Sequence, residues 1–194
     1  MGQSKSRKKE LDAFLSSLSR DEQIIFNLAQ KAYDRIIQAL NFQGACYHMT
    51  FLLKTILLKE FKIEADAIIG FVNDGTDNLM ISHGWLEYRG RKVDVAISNP
   101  NYGQQPGPLL ILDYKFQKHN SSDYSYHRTR GSLGDQAIEE LLASEYPQVR
   151  MMAEQKEAEH AFMTKIADSE DRIVDYLYNA PAGMTYDRFL KILI

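Results

Sequence analysis

The 194-residue chain contains one cysteine, Cys46, in the stretch GACYHMT, and the apolar run FLLKTILLKEF follows it directly. A thiol at the start of a helix is a candidate nucleophile, because unpaired N–H groups and the helix dipole favour thiolate over thiol. Thiol catalysis also needs a base or ion-pair partner, an orienter for that base, and donors for a developing oxyanion. The natural base is one of five histidines: His48, His83, His119, His127 and His160. His83 is set apart by its position inside LMISHGWLEY, a strand-like run in which a polar ring needs something to hold it. Asp94 is its counterpart inside KVDVAIS, since an aspartate among valines carries a desolvation cost unless it is hydrogen-bonded.

The elements around these residues decide whether they can meet. Residues 10–18 read as a short helix. Ser19 with Glu22 forms a capping box, and Ile24, Ile25, Leu28, Ala32, Ile36, Ile37 and Leu40 continue behind it at helical spacing. After a break at Asn41–Gly44 the Cys46 helix extends to about Phe61. The period then changes: ADAIIGFV, LMISHGWLEY and KVDVAIS read as three strands of an antiparallel meander, with DGTDN and Arg89-Gly90 as turns. LLILDYKF is a fourth strand candidate. The segments 99–108 and 117–134 read as polar loops open to solvent, and from Asp135 onward the chain is helical, with interruptions near Pro147 and around 179–183. If Arg89-Gly90 is a two-residue turn, Tyr88 pairs with Arg91, Trp85 faces Asp94 and His83 faces Ala96. His83 and Asp94 are then diagonal neighbours on one sheet face. Asp94 is expected to accept the Nδ1 proton of His83 and so present Nε2 to the thiol. The Cys46 N–H is one candidate oxyanion donor and the Gln43 side chain a second. Trp85 is expected to wall the cleft or the core beside His83.

GACYHMT resembles the G-x-C-aromatic-x-x-small segment of papain-like cysteine enzymes. The order Cys46, His83, Asp94 is similar to that of the transglutaminase-like branch, in which the nucleophile opens a helix and His and Asp sit on adjacent strands. His83, Gly84, Trp85, Glu87, Tyr88 and Asp94 fit its H-[AG]-W-x-E-[aromatic] segment followed by a hairpin and V-D. The likeness covers about residues 41–98. Gly84 stands where alanine is usual, the residues before the thiol depart from the strict papain signature, and the C-terminal helices match nothing in the branch. The resemblance implies attack of the thiol on an amide or thioester carbonyl through an acyl-enzyme, with no cofactor.

Plainer readings stand beside each residue. Free cysteines are usually small buried hydrophobes, and single strand histidines are usually satisfied core residues. His48 lies two residues after Cys46 on a different helix face and reads as structural. A zinc site from Cys46, His48, His83 and Asp94 fails because Cys-x-His spacing on one helix does not converge. Tyr124, Tyr126 and His127 read as polar surface, with a substrate-facing loop as the other option. The C-terminal segment SEDRIVDYLYNAPAGMTYDRFLKIL has the helix–turn–helix outline but lacks a basic recognition helix. Its Ile173, Val174, Leu177, Phe189, Leu190 and Leu193 are expected to pack on the body or on another copy.

Composition sets the frame. A net charge of −3 gives no general attraction for nucleic acid or anionic membrane. No apolar run has membrane-spanning length, and no secretory signal opens the chain. One cysteine excludes an internal disulfide and every multi-cysteine zinc motif, with a reducing, cytoplasmic setting as the default. MGQSKS matches an acylation pattern at Gly2, followed by RKK, which matters only in a eukaryotic cell. The expected organisation is a disordered basic tail (1–9), a catalytic domain (10–134) and a helical C-terminal segment (135–194) that packs on the body or mediates a homodimer or partner contact. The fold class is α+β, with N-terminal helices and a nucleophile-bearing helix packed on a meander sheet. The expected activity is hydrolysis of an amide bond in a protein or peptide. The alternatives are cross-linking or acyl transfer, and a catalytically silent interaction module.

Overall fold

The computed structural model describes residues 2–101, 103–116, 121–181 and 183–194, with side chains from residue 6 onward. The residues expected to form a disordered tail are helical from Gly2, and α1 spans Gly2–Ser17. No proline or further glycine interrupts that stretch, and its lysines, arginine, glutamine and leucines are good helix formers. Ser6 also donates to Glu10 one turn on, at 3.1 Å. Helix α2 (Arg20–Ala32) opens on the expected capping box: Ser19 N donates to the Glu22 carboxylate, and Ser19 Oγ accepts from Glu22 N. A π-helical turn, Tyr33–Gln38, continues it. That wider turn rotates the apolar stripe, so Ile36 and Ile37 are buried while Leu40 is 47% exposed.

Helix α3 spans Cys46–Phe61 and stops at Lys62, whose left-handed φ of 59° ends the helix. Residues 47–53 are buried without a break, which makes α3 the central helix. The sheet is antiparallel, in the order β5-β4-β3-β2-β1-β6. Strands β1 (Asp66–Asn73), β2 (Ile81–Tyr88) and β3 (Arg91–Asp94) form the expected meander. Tyr88 pairs with Arg91 and Leu86 with Val93, the register that the Arg89-Gly90 turn dictates.

Three features differ from expectation. Strand β3 ends at Asp94 rather than Ser98, because the Asp94 carboxylate turns the chain there. LLILDYKF is a hairpin rather than one strand: β4 (Leu109–Ile111) and β5 (Tyr114–Phe116) flank Leu112 and Asp113, which both have positive φ (52° and 62°), the backbone of a tight primed turn. The segment expected to be loop from 117 to 134 contains a short strand, β6 (Ser125–His127), paired to the free edge of β1.

Helices α4 (Ser132–Leu142), α5 (Pro147–Ala167), α6 (Glu170–Tyr178) and α7 (Tyr186–Leu193) complete the chain. Ile173, Leu177, Phe189 and Leu193 are buried in the same core as Phe51, Leu52 and Ile56 of α3. Of the two options for the C-terminal segment, these residues take packing on the body. Among the described residues no helix is long and apolar enough to cross a membrane.

Candidate active site

The two faces of β2 do different jobs. Ser82, Gly84, Leu86 and Tyr88 alternate toward α3. A Cβ on Gly84 would sit 3.1 Å from Tyr47 Cδ1 and 3.2 Å from Thr50 Oγ1, so glycine lets the helix lie close against the strand. His83, Trp85 and Glu87 point to the other face. Cys46 nevertheless acts on the charge of His83, and β3 leaves the sheet after Asp94. The stretch of β2 from Ile81 to Trp85 has no β3 partner there, and Cys46 lines a small void with Asp94, Val95 and Ala96 at that gap.

The sequence arithmetic placed His83 and Asp94 on one face, and they meet there: His83 Nε2 lies 2.6 Å from Asp94 Oδ2. Both are buried, at 6% and 2% exposure. The choice of nitrogen is the reverse of expectation. Nε2 faces the carboxylate, which leaves Nδ1 for the thiol. The cause is the turn after β3, which sets Asp94 at the far side of the ring. Asp94 Oδ1 accepts from the Ala96 and Ile97 N–H groups, each at 3.0 Å, and Oδ2 also accepts from the Tyr126 hydroxyl at 2.9 Å.

Burial alone would pull the His83 pKa down. The charges of Asp94 and Cys46, and hydrogen bonds to both, outweigh burial and raise it above the ordinary imidazole value. The surroundings of the imidazole therefore favour its protonated form. The Cys46 N–H opens α3 and makes no backbone hydrogen bond among the described residues. Gln43 is exposed in the turn before the helix, and its side-chain amide is without a hydrogen bond among the described residues. Gly44 has φ of 61°, and a Cβ there would lie 2.1 Å from Asn101 Oδ1. Glycine is thus required both by the backbone and by the close approach of the 99–108 loop to the thiol turn.

Trp85 is 1% exposed, so it is core beside His83 rather than a solvent-facing wall. Its indole N–H donates to Glu87 at 2.9 Å, Glu87 pairs with Arg128, and the Tyr126 ring meets Trp85 edge-on at 5.2 Å. Tyr126 is the site residue that sequence reading passed over as surface. The signal was its alternation with Tyr124 in DYSYH, a period of two inside a polar stretch.

The other histidines lie elsewhere. His48 faces away from the sheet among Phe42, Tyr176 and Phe189. His127 contacts Ser125 on β6, and His160 of α5 contacts Ser82 and stacks on Phe71. His119 is outside the described residues. Among the described residues no three His, Cys, Asp or Glu side chains are placed to hold a metal ion.

No protein-family profile, curated protein or solved structure matches this chain.

Proposed function

We propose that the protein is a thiol-dependent amide or peptide hydrolase of the transglutaminase-like, papain-related class, with Cys46 as nucleophile, His83 as acid and base, and Asp94 as orienter. The observation that carries this reading is the arrangement of the three groups: a thiol at a helix start, a buried imidazole on which the thiol acts electrostatically, and a buried carboxylate 2.6 Å from the imidazole Nε2.

In the proposed cycle the Cys46 thiolate attacks the carbonyl carbon of the amide, forming a C–S bond while the carbonyl π pair moves to oxygen. The Cys46 N–H, with Gln43 as a second donor, stabilises that oxyanion. As the tetrahedral intermediate collapses, the C–N bond breaks and His83 gives its Nδ1 proton to the leaving amine. Water then attacks the thioester and passes a proton back to Nδ1. Collapse of the second intermediate breaks the C–S bond, releases the carboxylic acid and restores the thiolate–imidazolium pair. Asp94 keeps the ring in place throughout. Gln43 and Asn101, beside the thiol turn, are exposed, which supports access of water to the acyl-enzyme and hence hydrolysis over transfer.

The test is alkylation by iodoacetamide, which reports on one site because Cys46 is the only cysteine. The wild-type protein is expected to react readily at pH 6, well below the value of about 8.5 at which a free thiol titrates, and His83→Ala to react more slowly there. Equal rates would mean a structural cysteine. Offered a primary amine such as cadaverine at millimolar concentration, a trapped acyl-enzyme is expected to go mainly to the free acid. Predominant amine incorporation would assign transfer instead.

A further inference from the structure

We propose that Tyr126 is a positioning residue for the thiol–imidazole pair: its hydroxyl, delivered by β6, fixes the Asp94 carboxylate and shares the oxygen on which His83 rests. This inference depends on the triad reading above.

The argument begins with the carboxylate. An ionised aspartate offers about four lone-pair directions, and here each meets a donor. Ala96 N–H and Ile97 N–H take Oδ1, while His83 and Tyr126 take Oδ2. The two backbone donors alone would explain why Asp94 ends β3. They fix one oxygen and leave the other free to swing about that contact. Tyr126 removes that freedom, and it does so from 32 residues away in sequence. Its placement is specific: Val72 pairs with Tyr126 across the β1–β6 ladder, and the ring rests edge-on to both Trp85 and His83.

A buried tyrosine can find a partner with no bearing on catalysis, so the distinguishing point is electronic. A donor on Oδ2 draws negative charge away from His83. Without it Asp94 would hold the imidazolium more tightly, and His83 would release its proton less readily to a leaving amine. Tyr126 is suited to the task because it stays protonated. Burial, then the charge of Asp94 and its hydrogen bond, push the phenol far above its ordinary pKa, with smaller contributions from Tyr124 and Asp113. The titratable groups that act on His83 itself are Asp94 and, from α3, Cys46.

The experiment measures iodoacetamide alkylation of the full chain from pH 4 to 11. The wild-type profile is expected to have two steps, a lower one where the ion pair forms and an upper one where His83 loses its proton. In Tyr126→Phe, which keeps the ring, the upper step moves up by about half a unit to one unit. Site-specific Tyr126→3,5-difluorotyrosine, a stronger donor, moves it down. Opposite shifts in the two variants are the signature of charge sharing, which a purely structural tyrosine would not produce. If Tyr126→Phe does not fold, the fluorinated variant decides alone: a downward shift supports the proposal, and a profile superimposed on wild type overturns it. A wild-type protein with no reaction at low pH, matched by His83→Ala, would remove the triad reading itself. Two intact wild-type steps with no shift in the variants would remove only the role of Tyr126.

Discussion

Replacing His48 with phenylalanine should make the protein markedly more resistant to acid. His48 is 5% exposed, its ring lies between 5.5 and 5.9 Å from those of Phe189, Tyr176 and Phe42, and its Nε2 has no hydrogen-bond partner among the described residues. Burial pushes its pKa down from 6.5 to about 4, with the Met184 backbone opposing. A depressed folded value means that between pH 6.5 and about 4 the unfolded chain binds a proton that the native state refuses. Stability therefore rises with pH across that window and is lost on acidification. A shift of about 2.5 units at 1.36 kcal/mol each amounts to about 3 kcal/mol, a large share of the 5–15 kcal/mol typical of a domain. His160 is shifted in the same direction by burial, and His83, raised rather than lowered, is protonated in both states over most of the window. The difference between variant and wild type isolates His48 from both. Phenylalanine suits an aromatic surround and removes the unpaired nitrogen. Urea unfolding at pH 7.5, 6.5, 5.5 and 4.5 is expected to show the variant gaining on wild type by about 2.5 kcal/mol from the top of the range to the bottom, the remainder appearing below that range. A stability gap constant across pH would refute the reasoning, because only a proton taken up by the unfolded chain can make the gap widen.

Two further outcomes follow from the sheet. Gly84→Ala puts a methyl group against Tyr47 and Thr50 at 3.1–3.2 Å, so those side chains must give by a few tenths of an ångström. The expected cost is about 1–2 kcal/mol in urea unfolding, with slower alkylation of Cys46, and an unchanged midpoint would count against the packing account. His83 has the opposite sign from His48. Its raised folded value means that its stabilisation is fully present below pH 6.5 and is lost as pH climbs toward that value, so Asp94→Asn should flatten the alkaline side of the stability curve above pH 6.5. A curve falling as steeply as wild type would place the alkaline loss elsewhere.

How far these positions could be read from sequence depended on how local their causes are. The extent of α3 was legible because an apolar run begins after a glycine turn and no internal breaker stops it. The β2–β3 register was legible because a two-residue turn at Arg89-Gly90 leaves one pairing, and that pairing alone put His83 and Asp94 on one face. The β4–β5 turn was hidden because Leu112 and Asp113, neither a glycine, adopt positive φ that nothing in LLILDYKF announces. Strand β6 was hidden for a different reason: three residues in a polar stretch are a strand only because β1 offers a free edge. The His83 nitrogen facing Asp94 was also beyond local reading. It depends on which side of the ring the carboxylate occupies, and that is set by the turn at 94–97.

The position of the gap in the sheet explains why one residue serves both fold and site. Had β3 continued through Ser98 as its apolar sequence suggests, Ala96 would pair with His83 and the edge of β2 would be closed to α3. Asp94 prevents this by capping its own turn through Oδ1, which takes two backbone donors that would otherwise extend the strand. The same act turns Oδ2 toward His83 and opens the edge that Cys46 approaches. A carboxylate needed only for the turn would have had its second oxygen satisfied by water at the surface, at little cost. Here that oxygen is buried, and the charge is compensated by an imidazole and a phenol brought from two other strands. Burying a charge is costly unless it is paired and hydrogen-bonded, and the histidine and tyrosine supply that compensation for the buried oxygen. Asp94→Ala should therefore unfold the turn and disable the thiol in the same step, whereas substitutions at Tyr126 separate the two effects.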